Sequence, residues 1–393
     1  MSISPPMSVD VRSRAGVLRA EYAERLPSVL QPLLTWITGK AAAGERPPRT
    51  VLPGALNTAA SMAQWPLSVA ATVALLMWNP VAGTLLLPLT WLLGVNALRR
   101  LQVVIGHHAV HQEISESSRV NYWIQVVASG ESFVHNWEDY FEDHVRGHHS
   151  RKVFTTATDP DAELLLHLGF TPGMEERRLW RVLARTIIGP RFHFIFLKAR
   201  VRTNFVTAPW HRRFVGAAWL GALALVGVLV PWQVFVLAVL VPMFPLYHVS
   251  ALLQFVSEHA WLAGDRGPVR SSEEYAQRCW GRFSIEPLPA RTLPPVARAL
   301  GWTRWVLKTL LVQVPIRFGV LAGDLPVHDY HHLYPADHDW TKAFWSRQNI
   351  IDHNDARGMG EREFCNLAEA IGEVFRGLQY GERHVRMAAP SRR

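Results

Sequence analysis

Cysteine is nearly absent from this chain. Two occur in 393 residues, Cys279 and Cys365, far apart and with no Cys-x-x-Cys pair. That excludes a cysteine-rich zinc or iron–sulfur site. Charge is sparse as well, at 19% of residues, and none falls in 56–78, 81–98 or 214–257. The start, M-S-I-S-P-P-M-S-V-D, lacks the charged onset and apolar core of a signal peptide. The net charge is +9, but no basic stripe interleaved with aromatics marks a soluble module, so no nucleic-acid partner is expected.

What the chain does hold is apolar residues in blocks. Runs at about 56–78, 81–98, 214–230 and 233–256 are each near the roughly 20 residues that cross a bilayer as a helix. Asn79-Pro80 and Pro231-Trp232 break them into two hairpins with uncharged turns. Lys and Arg collect on the other side: seven before residue 56, sixteen from Arg99 to Arg213. By the positive-inside rule those segments are cytoplasmic. Sixteen Trp fit the aromatic belts at the two interfaces. The expected architecture is an all-α integral membrane protein. It has four transmembrane helices in two hairpins and a cytoplasmic helical cap holding a di-metal site. Residues 1–55 read as a cytoplasmic N-terminal segment, with an amphipathic helix at 17–34 lying on the membrane surface. Residues 56–345 read as the membrane-embedded domain, and 346–393 as a cytoplasmic tail. The stretch 302–321, interrupted by Pro315 and Arg317, reads as interfacial rather than as a fifth span.

Eighteen histidines is a high count, and ten of them fall in four places. His107, His108 and His111 follow the second span. His144, His148 and His149 stand in the polar middle. Glu258-His259 ends the fourth span, and His328, His331 and His332 sit in V-H-D-Y-H-H-L-Y-P. His107 and His111, like His144 and His148, are spaced i, i+4, so each pair shares a helix face. Adjacent histidines are turned about 100° apart and suit two neighbouring ions rather than one. Without His108, which has no i+4 partner, nine candidates remain: His107, His111, His144, His148, His149, His259, His328, His331 and His332. One zinc site uses about four ligands, so nine fit two ions. Imidazole suits Fe, Zn, Cu or Ni alike. A ligating histidine gives its other N–H to a carboxylate or carbonyl. The candidates for that support are Glu142, Asp143, Asp159, Glu258 and Asp329. Isolated histidines such as His167, His193, His211 and His384 read as ordinary surface or core residues. His248, inside the fourth span, is left out of the site.

At these residues the chain resembles the membrane-bound fatty acid desaturase and hydroxylase superfamily, whose mark is three histidine boxes. Here they stand as His107-x3-His111, His144-x3-His148-His149 and His328-x2-His331-His332. The resemblance implies two Fe ions held by the nine histidines, with O2 as co-substrate. It also implies a ferredoxin- or rubredoxin-like electron donor with its reductase, since no heme-binding H-P-G-G segment is present. The substrate it implies is a lipid, or an acyl chain linked to CoA or a carrier protein. H-H-L-Y-P at 331–335 is similar to acyl desaturases. T-D-P-D-A at 158–162 and Glu258-His259 are similar to the alkane ω-hydroxylase branch. Phe255 stands where these relatives carry Asn, four residues before the lone histidine. Desaturation is the favoured reaction and hydroxylation the alternative. A zinc-dependent membrane hydrolase needs only three histidines and an open position. A metal carrier would face its ligands along a path through the membrane.

Overall fold

The computed structural model describes residues 13–388, apart from 268, 336 and 354–356. Helix α1 (Arg14–Arg25) and helix α2 (Gln31–Thr38) open it. This is not the single surface helix expected at 17–34. Pro27 interrupts it, and Ala15, Leu18 and Tyr22 are buried in a core shared with Phe283, Tyr330 and Trp345. Arg19 is fully buried and bonds the Lys40 carbonyl, Gln31, Thr35 and Glu45. A buried guanidinium with four partners fixes the segment into the cap instead of leaving it on a lipid surface.

Helices α3 (Gly54–Trp78) and α4 (Pro80–Val110) form the first hairpin. Asn79 makes the turn. Its side chain accepts from the Ala82 N–H, and Pro80 takes the first helical position, where an N–H is not needed. Ser61, Ser68 and Thr72 bond back to the carbonyls four residues earlier, which removes free hydroxyls from the apolar face. Helix α4 passes Arg99-Arg100 without a break, winds as a π-helix over Leu101–Gly106, and ends just after His107 and His108. Helix α5 (Ser118–Ser132) packs against it. The second histidine pair follows on α6 (Phe141–His148), also a π-helix.

Three shorter helices surround this point: α7 (Pro160–His167), α8 (Glu176–Ile188) and α9 (Pro190–Phe205). The second hairpin is α10 (Trp210–Leu229) and α11 (Trp232–Glu258). Pro231 breaks it as expected, and α11 delivers His259 in an extended conformation directly at its end. Four helices among the described residues are long and apolar enough to span a bilayer, and they are these. The protein is an all-α integral membrane protein. Both hairpins turn at one end, and both release a histidine at the other.

Helix α12 (Pro295–Lys308) continues through a π-turn to Gly319 and is not among the spans. Helix α13 (His328–Leu333) carries the third histidine group and is wholly buried. Helix α14 (Ala343–Asp352) lies beside it, and α15 (Leu367–Ala388) packs Ile371, Val374 and Phe375 with Leu179 and Leu183 of α8. Strand β1 (Gly281–Arg282) pairs in parallel with strand β2 (Glu363–Phe364), tying the end of the chain to the loop after His259.

The position of α13 depends on ionic contacts. Arg347 of α14 makes bidentate bonds to Asp329, at 2.7–3.1 Å, and reaches Glu363 at 2.6 Å. Lys40 reaches Glu363 at 2.9 Å. All four side chains are essentially free of solvent. Removing one member leaves uncompensated buried charge, which costs about 3–5 kcal/mol. Arg347→Met is therefore expected to lower the thermal unfolding midpoint clearly. Lys342→Met, at a half-exposed pair with Asp339, should shift it little. Differential scanning fluorimetry of both variants in one detergent makes the comparison.

Candidate metal centre

The nine singled-out histidines converge, and they divide. His148, His259, His328 and His332 present ring nitrogens that all lie within 4.8 Å of one another. His107, His111 and His144 form a second group, joined to His149 and His331 through His111. The adjacent pairs split as their helical phase requires. His148 and His332 enter the first group, His149 and His331 the second.

The spacing between nitrogens tests whether metal ions fit. Nε2 of His328 and His332 are 3.0 Å apart, those of His144 and His149 3.2 Å, and those of His111 and His331 3.3 Å. Two nitrogens on one ion at about 2.0–2.1 Å stand roughly 3.0–3.4 Å apart. Such pairs of lone pairs repel unless a proton or cation lies between them. His107 Nε2 and both nitrogens of His259 are buried without a hydrogen-bond partner. A buried polar atom left so costs about 1–3 kcal/mol, and an ion at the cluster would satisfy it. Burial, with the neighbouring imidazoles next, holds His144, His149, His328, His331 and His332 well below the ordinary imidazole range. His111 is pushed down to about 3 by the same causes. Neutral imidazoles are the form that binds metal. The donor set fits metal ions, with one group of four histidines and two groups of three that share His111.

The supporting shell differs in part from the carboxylates singled out in the sequence. Asp159 caps α7 and reaches His148 Nδ1 at 3.0 Å, as expected. Burial opposes protonation of His148, but the Asp159 carboxylate overrides it and raises this histidine to about 9. Asp161 lies 3.9 Å from the same nitrogen and is pushed up to about 7, burial being the main cause. Glu258 comes within 3.6 Å of His328 Nε2 while Arg282 and Gln254 hold its carboxylate. The other three do not contact a histidine of the cluster. Glu142 pairs with Arg146 in solvent, because α6 turns His144 and His148 inward and Glu142 outward. Asp143 lies on the exposed side of α6, at the cavity described below. Asp329 faces Arg347 instead.

Other supports were not singled out. Tyr275 bonds His332 Nδ1 at 2.8 Å, and the Tyr140 hydroxyl is 3.4 Å from His107 Nδ1. His108 also lies within reach of His107 and His331, but both its nitrogens are engaged: Glu113 takes Nδ1 and Asp324 takes Nε2, at 3.0 Å. Gly323 allows this. Its φ is +59°, and a Cβ there would meet Val104 at 2.1 Å, so the loop carrying Asp324 can lie flat on α4. No spacing rule in the sequence pointed to Tyr275 or Asp324: Tyr275 sits on a short helix outside the boxes, and Asp324, just before the third box, supports a histidine of the first.

A cavity of about 220 Å³ opens beside both groups. His107, His144, His148 and His328 form its floor. Leu164 of α7, Ile195, Phe196 and Ala199 of α9, and Phe255 of α11 form its apolar wall. Tyr140, Gln254 and Glu258 add polar groups.

A comparison with known protein families matches residues 82–343, more than half of the chain, to the fatty acid desaturase family. No curated protein and no solved structure matches the chain.

His148 offers a direct check on metal binding. With its proton held to about pH 9, it is charged at pH 7–8 in the metal-free protein. An ion that takes Nε2 must expel about one proton. Release measured by titration calorimetry in buffers of different ionisation enthalpy should appear at pH 7–8 and fade as pH rises past 9. Asp159→Asn removes the cause of the raised value. It should abolish this release and weaken metal binding about 10–100-fold.

Proposed function

The chain belongs to the fatty acid desaturase family, an oxidoreductase family, and we propose that it is an O2-dependent di-iron desaturase acting on a fatty acyl or similar lipidic chain. The observation that carries this reading is the gathering of nine imidazoles beside one cavity, in one group of four and two groups of three that share His111. A zinc hydrolase would leave most of them without a purpose. The two ions would be iron, held by His107, His111, His144, His149 and His331 on one side and by His148, His259, His328 and His332 on the other. When bound and reduced by an electron donor, they supply the O2-dependent oxidising power that removes hydrogen from an unactivated C–H bond.

The chain's own residues do the rest. Leu164, Ile195, Phe196 and Phe255 hold an alkyl segment against the histidine floor and keep water from it. Asp159 and Tyr275 fix the protons of His148 and His332 on Nδ1, which leaves each Nε2 lone pair directed into the cluster. Gln254 and Arg282 hold the Glu258 carboxylate at the edge of the site. The excess of Lys and Arg on the segments joining the hairpins supports a site on the cytoplasmic face. A net charge of +9 favours docking of an acidic ferredoxin- or rubredoxin-like donor.

Loss of both hydrogens gives an alkene; retention of oxygen on the carbon gives an alcohol. Asp159 of T-D-P-D-A and Glu258 both lie against the cluster, and these are the features shared with alkane hydroxylases, so hydroxylation is the second reading. Gas chromatography with mass spectrometry of lipids from an expressing host separates the two. A new alkene is expected, reduced more than about 100-fold in His331→Ala together with loss of bound iron. An alcohol with no alkene would replace desaturation by hydroxylation. Iron-free protein holding one zinc would overturn both.

A further inference from the structure

Helix α9 has two faces with different tasks. Ile195, Phe196 and Ala199 line the cavity, and Arg200 is buried behind them. The outward side, adjoining them, carries Arg191, Phe194, Lys198, Val201 and Arg202, spaced at one to two helical turns and all exposed. Phe194 is 69% exposed. The apolar exposure continues through Val206 and Trp210 into Phe214 of span α10. Arg191, Lys198 and Arg202 make no side-chain ion pair or hydrogen bond among the described residues. No Asp or Glu occurs between Glu176 and Glu258, so nothing nearby in the chain neutralises them.

We propose that this outward face of α9 binds the anionic headgroups of phospholipids at the bilayer surface. Large apolar side chains interleaved with cations, and continuous with a membrane span, match a surface that sits at the headgroup level. There the rings enter the acyl boundary while Arg and Lys reach for phosphate. A soluble acidic protein would leave Phe194 and Trp210 in water. The consequence is a coupling: the lipid composition bears on the same helix whose other face forms the cavity wall.

The test uses the full-length, iron-loaded protein and does not read activity. Native mass spectrometry measures retention of phosphatidylglycerol against phosphatidylcholine. Each cation near an anionic surface contributes roughly five-fold. The parent protein should prefer phosphatidylglycerol, and Arg191→Gln/Lys198→Gln/Arg202→Gln should lose on the order of tenfold to a hundredfold of that preference. An equal charge removal on the neighbouring helix, Arg177→Gln/Arg178→Gln/Arg181→Gln, should keep it. Phe194→Ser/Val201→Ser should weaken retention of both lipids. Unchanged iron content and melting temperature show that the variants are folded. The proposal is overturned if the parent protein shows no preference, if the α9 triple variant keeps it, if the α8 variant loses it equally, or if inorganic phosphate displaces the lipid.

Discussion

Nine imidazoles packed around one buried point repel one another, and the rest of the fold works to hold them there. Nitrogen lone pairs face each other across 3.0–3.3 Å. No helix would adopt that arrangement for its own stability. It persists because the surrounding elements are fixed by stronger contacts and because metal ions would turn the repulsion into coordination.

Those stronger contacts are mostly ionic and lie one layer out. Arg347 with Asp329, Glu363 and Lys40 fastens α13, α14, strand β2 and the N-terminal segment to one another. Arg282 with Glu258 fastens β1 to the end of α11. Burying such groups is expensive unless every one is paired. Each pair here joins segments distant in sequence. The membrane spans bring two of the four histidine-bearing elements to the site, the buried ion pairs fix α13, and Asp159 holds α6 through His148.

The π-helical turns have a related role. Leu101–Gly106 precedes His107, and Phe141–His148 contains His144 and His148. A π-turn adds a residue to the helical repeat and re-aims the side chains beyond it. That lets α4 remain a membrane span for most of its length and still present its last turn to a site in the cap. Helix α9 divides its labour in the same way, with one face on the cavity and the other turned outward.

The spans, their hairpin turns at Asn79-Pro80 and Pro231-Trp232, and the three histidine groups were legible in the sequence. Each rests on local pattern: apolar length, a helix breaker, or i, i+4 spacing. The separation of His148 from His149 and of His331 from His332 was legible for the same reason, since adjacent helical residues point apart. Which carboxylate supports which histidine was not. Glu142 and Asp329 adjoin histidines in sequence yet face solvent and Arg347, whereas Tyr275 and Asp324 come from segments distant from the histidines they meet, His332 and His108. Nor did amphipathic spacing at 17–34 reveal that Arg19 would be buried, because its partners Lys40 and Glu45 are brought to it only by folding. Periodicity along the chain is a property of each segment alone and fixed the helices and their faces. The choice of partner for each buried polar group depends on the packing of all of them, and only the tertiary structure decided it.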